Sequence, residues 1–183
     1  MLNEIVSPFQ SAFVPGQWTA KNSILAHELV CTIKKKKSEK EVLLDFKLDI
    51  NKAYDLLEWP FISLVLKAFG FDDHFCRLVM FCVKSVLFSI LLNGSPTPAF
   101  KPHRGIRQGD PLSPYLFILC SKILSRLILQ AESSGDIHGI KIAHGAPPVS
   151  HLMFTDDTFL FCRATGQEWD VLVRNSGDAP YTF

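Results

Sequence analysis

The chain has 183 residues, 48% of them hydrophobic and 20% charged, a size that suits one domain or one domain with part of a second. At this length folding buries roughly 70% of the surface an extended chain exposes, so a core forms without disulfides or structural metal, and the apolar content excludes general disorder. Nineteen basic residues against eighteen acidic leave a net charge of +1, which excludes a strong polyelectrolyte field as the means of recruiting nucleic acid.

Five cysteines (Cys31, Cys76, Cys82, Cys120 and Cys162) form an odd set without a C-x-x-C pair. Four sit in apolar runs, which predicts buried free thiols in a reducing compartment. The histidines lack metal-ligand spacing: His144 and His151 are seven apart with no cysteine beside them. Met1-Leu2-Asn3-Glu4-Ile5 has neither a basic start nor an apolar signal core. The longest apolar stretches, around Leu78–Val83 and Tyr115–Cys120, fall short of the ~20 residues that cross a bilayer. The expectation is an intracellular, non-secreted protein without a membrane partner. Nothing in the residues separates nucleus from cytoplasm.

In chain order, Leu25, Ala26, Leu29, Val30 and Ile33 recur at helical spacing, with Asn22 or Ser23 as cap. Lys34-Lys35-Lys36-Lys37 closes that helix, where cations complement the dipole; a solvated last turn accounts for it, with backbone-phosphate contact as the alternative. Val42, Leu44, Phe46 and Leu48 then share one face of a strand, and Leu43, Asp45, Lys47 and Asp49 the other. Trp59-Pro60 opens a helix with a Phe61, Leu64, Val65 and Ala68 stripe that stops at Gly70. Asp72-Asp73 caps the next one, which turns Phe75, Leu78, Val79 and Cys82 inward.

Val86–Leu92 reads as a strand, Asn93-Gly94 as a type I′ turn, and Pro96 and Pro98 put the return strand at an edge. A polar loop from Lys101 to Asp110 leads to a long helix from near Ser113-Pro114 to Gly135, followed by a short strand around Ile137–Ile142. Val149–Phe154 and Phe159–Cys162 form a hairpin with Thr155-Asp156-Asp157-Thr158 at its bend. Beyond Arg163 the pattern weakens. Residues 1–165 are expected to form an α+β domain, a mainly antiparallel sheet with helices on one face. Residues 166–183 are expected to be an irregular tail.

Two adjacent aspartates at an apolar hairpin tip repel each other unless water or cations neutralise them. Alone, the pair reads equally well as an ordinary turn. Asp49, however, also ends an apolar strand on its polar face, so two carboxylate-bearing strand ends can converge. Three carboxylates suit two Mg²⁺ ions, and such a pair roughly 3.5–4 Å apart can activate a hydroxyl and steady a leaving pyrophosphate.

Three segments carry a resemblance: Leu48-Asp49-Ile50-Asn51-Lys52-Ala53-Tyr54-Asp55, Arg104-Gly105-Ile106-Arg107-Gln108-Gly109-Asp110-Pro111-Leu112-Ser113-Pro114, and Phe154-Thr155-Asp156-Asp157. They resemble three successive motifs of non-LTR (LINE-type) retrotransposon reverse transcriptases, plant elements in particular. Gln10-Ser11-Ala12-Phe13-Val14-Pro15-Gly16 resembles an upstream block, and Gly139-Ile140-Lys141-Ile142 with Ser150-His151-Leu152 the approach to the last motif. The similarity runs over about residues 5–165 in the right order.

The resemblance implies a polymerase palm with part of the fingers, and an RNA-directed DNA polymerase that uses two Mg²⁺ ions, an RNA template, a DNA primer and deoxynucleoside triphosphates. It assigns metal binding and catalysis to Asp49, Asp156 and Asp157. Tyr54 takes the place of the aromatic gate that crowds a ribose 2′-hydroxyl, a role compatible with packing below the strand. Gln108, Gly109 and Arg107 border the incoming nucleotide. Arg104 and Arg107 meet phosphates or water, and Asp55 and Asp110 are explained by helix capping. The first fingers block, the later palm strands, the thumb and the endonuclease domain have no counterpart, so the chain is expected to be a truncated fragment. Thr155 stands where the class has alanine, Gln17 where it has arginine and Leu56 where a charge is usual. These departures carry the alternative, a degenerate inactive remnant with residual metal or nucleic-acid binding. A two-metal nuclease ranks last, because it leaves Arg104–Pro114 unexplained.

Overall fold

The computed structural model of the chain describes residues 9–10, 18–35, 42–49, 52–154 and 157–177. In chain order its elements are α1 (Thr19–Lys35), β1 (Leu43–Asp49), α2 (Ala53–Leu56), α3 (Trp59–Ala68), α4 (Asp73–Lys84), β2 (Leu91–Leu92), β3 (Ser95–Pro96), α5 (Ser113–Ser134), β4 (His151–Met153), β5 (Asp157–Arg163) and α6 (Gly166–Gly177). They fall into two compact units, residues 1–51 with 121–183, and residues 52–120.

The first unit is built on an antiparallel sheet of order β1-β5-β4, the α+β arrangement expected. Strand β1 alternates as its sequence demands: Asp45, Lys47 and Asp49 are exposed, while Leu44, Phe46 and Leu48 are half-buried. β5 reads differently. Leu160-Phe161-Cys162 is a continuous apolar run, and all three residues are buried, as befits a central strand covered on both faces. On one face Phe161 and Leu152 pack with Ala26 and Leu29 of α1. On the other, Phe46 meets the edge of Trp169 from α6, ring centroids 5.2 Å apart. Helical cover thus extends beyond the single face expected.

Residues 166–177 are helical, where an irregular tail was expected. The reason is a capping arrangement followed by an amphipathic stretch. Thr165 Oγ1 accepts from the Glu168 N–H at 3.3 Å, and Glu168 accepts from the backbone N–H groups of Arg163 at 3.0 Å and His138 at 3.1 Å. Leu172 then buries its side chain against the unit. Two smaller corrections follow. Ile137–Ile142 is reduced to one bridge between Ile140 and Val149, since Gly139 and the loop through Pro147-Pro148 interrupt the ladder. Asp157 and Thr158, expected at the bend, belong to β5 and pair with Asp49 and Leu48 of β1, and the Phe154 N–H donates to the Asp157 carbonyl at 2.9 Å; residues 155–156 lie outside the described residues.

A buried polar chain ties β4 to α5. Ser125 Oγ lies 2.8 Å from His151 Nε2, His151 Nδ1 lies 3.2 Å from Ser150 Oγ, and Ser150 Oγ donates to Glu132 Oε2 at 2.8 Å. A neutral imidazole satisfies this chain with one donor and one acceptor nitrogen. Gly139 makes room for it, because a Cβ there would stand 2.5 Å from Glu132 Oε1 and 2.8 Å from the Val149 carbonyl carbon.

In the second unit, Pro60 sits in the first turn of α3, and Asp72 caps α4 by accepting from the His74 N–H at 2.7 Å. Asn93 and Gly94 both have positive φ, 50° and 82°, as a type I′ turn requires. The hairpin strands are shorter than Val86–Leu92. Pro96 and Pro98 offer no N–H, and side chains supplement the remaining backbone bonds: Ser89 Oγ donates to the Thr97 carbonyl at 2.6 Å, and Thr97 Oγ1 accepts from the Ile90 N–H at 3.0 Å. By length and composition α5 is apolar enough to cross a bilayer, but its residues Leu116–Cys120, Leu124 and Ile128 are buried within the fold, as in a core helix.

All five cysteines are free. Cys76, Cys120 and Cys162 are buried, Cys31 is half-buried and Cys82 is exposed. Burial pushes the Cys120 thiol up to about 12, and burial with the nearby Glu168 charge pushes Cys162 up to about 11. Both stay protonated and unreactive.

His151 generates a pH prediction. Burial, reinforced by the Lys122 charge, lowers its pKa from 6.5 to about 3. Between those values the unfolded chain binds a proton that the folded chain refuses, so stability is full above pH 6.5 and falls with falling pH. At pH 5 the loss is about 2 kcal/mol. Urea unfolding at pH 7.5 and pH 5 is expected to show that difference for the wild type and to lose most of it in His151→Gln. Equal pH dependence in the two proteins would remove His151 as its source.

Candidate active site

In the antiparallel register of β1 and β5, Asp49 stands directly opposite Asp157. Directly paired residues project from the same face with Cα atoms roughly 4.5–5.5 Å apart, so both carboxylates occupy one end of the polar face. Asp49 is exposed and Asp157 half-buried. Two carboxylates at this spacing repel, and the structure supplies a cation: Lys47 Nζ lies 2.9 Å from Asp157 Oδ2. Lys47 is two residues before Asp49 and therefore on the same face, diagonal to Asp157, within reach of a long side chain. Asp156 lies outside the described residues. Among the described residues no group of three His, Cys, Asp or Glu side chains converges.

The donor set tests the implied metal. Exposed carboxylate oxygens on facing strands are hard ligands of the kind Mg²⁺ takes, and an ammonium already rests on one of them. The residues fit a divalent cation.

The other expected residues lie in the second unit. Tyr54 is on α2, half-buried, with its ring stacked on Phe117 at a centroid distance of 5.0 Å and an interplanar angle of 9°. The Arg104–Arg107 loop is stitched to the same helix and its flank. The Gly105 N–H donates to the Leu57 carbonyl at 2.7 Å, the Ile106 N–H to the Tyr54 carbonyl at 2.8 Å, and Trp59 Nε1 to the Gly105 carbonyl at 2.8 Å. Gly105 is required here: its φ is +86°, and a Cβ would stand 2.8 Å from the Asp55 carbonyl oxygen. Arg107, Gln108 and Gly109 are exposed beyond this anchor, and Gly109 has φ +84° with nothing within 4 Å of a Cβ. Arg104 pairs with Glu58 at 3.5 Å. Asp110 Oδ1 accepts from the Leu112 N–H at 2.8 Å, a turn just ahead of α5 where a helix cap was expected. A cleft of about 260 Å³ beside the loop is lined in part by Val83, Phe88, Phe100, Arg104 and Arg107. A larger hollow of about 540 Å³ along α1 is lined by none of the expected site residues.

Sequence reading did not assign Lys47, Trp59 or Phe117 to this machinery. Lys47 alone had a usable signal, its i, i+2 relation to Asp49 on an alternating strand. The partners of Trp59 and Phe117 lie 46 and 63 positions away in the chain (105 − 59 and 117 − 54).

The family profile described as reverse transcriptase (RNA-dependent DNA polymerase) matches residues 1–175. An uncharacterized mitochondrial protein of Arabidopsis thaliana is 50% identical over 68 residues, 37% of this chain and 56% of that protein. The Pol polyprotein of the type-1 retrotransposable element R2 from Popillia japonica is 32% identical over 130 residues, 70% of this chain and 20% of the polyprotein. That of the R2DM element of Drosophila melanogaster is 30% identical over 154 residues, 84% and 14% of the respective chains. Thus the chain spans little more than half of one relative and a fifth or less of the others. In fold it is similar to apo telomerase from Candida tropicalis, with TM-score 0.62 and 13% identity over 94% of this chain and 34% of that one. Telomerase from Candida albicans in complex with a fragment of telomeric RNA gives TM-score 0.61 and 13% identity, covering 94% and 29% of the chains.

The two loop glycines separate strain from collision. Gly109→Ala meets only the left-handed backbone penalty, about 1 kcal/mol. Gly105→Ala adds a clash with backbone and is expected to cost about 3 kcal/mol or more. Chemical denaturation of both variants checks the ordering; equal costs would mean that the Asp55 carbonyl yields freely.

Proposed function

The chain belongs to the reverse transcriptase (RNA-dependent DNA polymerase) family, and on that premise we propose that it carries the fingers–palm core of an RNA-directed DNA polymerase of the LINE type. The reaction joins a deoxynucleoside triphosphate to a primer 3′-hydroxyl opposite an RNA template and releases pyrophosphate. One observation carries the reading: Asp49 and Asp157, from motifs more than a hundred residues apart, share a register position at one exposed sheet end.

The residues take the following roles. Asp49 and Asp157, with Asp156 beside them in sequence, would hold two Mg²⁺ ions, which would supply activation of the primer hydroxyl and stabilisation of charge on the leaving pyrophosphate. The strands hold the carboxylates fixed, which is the protein's main contribution to phosphoryl transfer. Tyr54, clamped on Phe117, limits room at the sugar 2′ position and selects deoxynucleotides. Gln108 and Gly109 border the nucleotide, with backbone approach permitted at the glycine. Arg107 offers a guanidinium to phosphate. The template and primer are intracellular nucleic acids, gripped through backbone contacts.

Thr155, beside the paired aspartates, favours a second reading, a remnant without activity. Primer extension on an RNA template distinguishes them. The polymerase reading expects extension by the wild type, a loss of roughly 10²–10³-fold in Asp49→Asn and Asp157→Asn, and increased ribonucleotide incorporation by Tyr54→Ala. Extension no greater in the wild type than in Asp157→Asn would leave the remnant reading standing.

A further inference from the structure

Lys47 is the feature of the sheet end that the roles above do not use. It stands between Asp45 and Asp49 on the exposed face of β1 and reaches diagonally to Asp157, Nζ to Oδ2 2.9 Å. Half of its side chain is exposed, against 35% for Asp157. An ion pair this open to solvent contributes little to stability, so the contact between Lys47 and the half-buried Asp157 points to a reason beyond stability. The reason on the page is the Asp49–Asp157 register pair. Strand pairing forces two negative groups together, and a cation from the same strand face relieves the repulsion without any bound ion.

We propose that Lys47 is a resident counter-ion of the carboxylate site, a positioning residue that holds Asp157 in place before metal arrives and is displaced from it when a divalent cation binds. The proposal rests on the reading of Asp49 and Asp157 as metal ligands. The ammonium and the metal ion compete for the same carboxylate oxygen, so loading is an exchange: a metal–oxygen contact forms at Asp157 as the Lys47 contact breaks. Two consequences follow. The site is preformed before metal binds, and its affinity for divalent ions is lower than the carboxylates alone would give.

The test uses the full chain and Mn²⁺ as probe, with free Mn²⁺ followed by electron paramagnetic resonance and competed by Mg²⁺. Wild type, Lys47→Met, Lys47→Arg and Asp157→Asn are compared. The proposal expects Lys47→Met to bind Mn²⁺ roughly two- to fivefold more tightly than wild type, Lys47→Arg to stay near wild type, and Asp157→Asn to bind more weakly. It also expects Mn²⁺ to raise the melting temperature of Lys47→Met by more than that of the wild type, because the metal-free variant has lost its internal cation. Lys47→Gln, a smaller change in polarity, serves the same comparison if Lys47→Met does not fold. Wild-type affinity in the lysine variants, with Asp157→Asn weakened, overturns the counter-ion role and leaves the metal ligands standing. Mn²⁺ binding that is absent, or equal in wild type and Asp157→Asn, overturns the metal site and the proposal together.

Discussion

The antiparallel register between β1 and β5 is the constraint on which the site depends. Strand pairing is periodic in two residues, so a slip of one would turn Asp49 to the half-buried face and set Leu48 opposite Asp157. What prevents the slip is burial on both sides of β5. Leu160 and Cys162 face Phe46 and Leu44 across one surface, while Phe161 packs into the α1 cluster on the other. Shifting the strand would expose Phe161, whose side chain is fully buried, at a cost of about 2–3 kcal/mol for that residue alone. The apolar core thus sets the position of the charges.

The second edge of β5 is secured by other means. β4 is only three residues long, too short to fix itself by ladder bonds alone. It is held by polar groups inside the core: His151 to Ser125 of α5, and the adjoining Ser150 to Glu132 of the same helix. Buried hydrogen-bonded groups are costly to misplace, since a shifted partner leaves a desolvated donor or acceptor. The polar chain therefore specifies where β4 sits more strictly than apolar packing would. The Phe9 carbonyl, which accepts from the Met153 N–H at 2.8 Å, adds a further anchor on the outer edge.

Much of this was legible in the residues, and the failures have physical causes. The alternation from Leu43 to Asp49 identified the exposed face and the carboxylate that ends it, because a half-buried strand writes its orientation directly into its composition. Asn93-Gly94 and Asp72 likewise announce their local geometry. The missed helix after Arg163 had a signal, Thr165-x-x-Glu168, but Glu168 sends its carboxylate to Arg163 and His138 instead of closing a local box. The weak apolar stripe behind it is completed by Phe46, more than a hundred positions earlier. The short strand expected around Ile137–Ile142 shrinks to one bridge, because Gly139 is needed to clear Glu132 and the backbone of Val149. The helix after Arg163 is thus a place where distant partners decide the conformation. The Lys47 contact is of the same kind, readable as a face but not as a partner.

Net charge illustrates how coarse a whole-chain quantity is for a site of this sort. The value of +1 says nothing of the arrangement at the end of β1, where Asp45, Lys47 and Asp49 alternate on one face and Asp157 joins them from β5. That surface carries three carboxylates and one ammonium, a local excess of negative charge. Lys101, His103, Arg104 and Arg107 fall within seven residues of one another in the second unit, where Arg104 pairs with Glu58. The first unit holds twelve basic and thirteen acidic residues and the second seven and five, so each is near neutral as a whole and the contrast lies in these local clusters. A cation near the carboxylates of β1 and β5, or an anion near the 101–107 loop, responds to the charge close to it and not to the total.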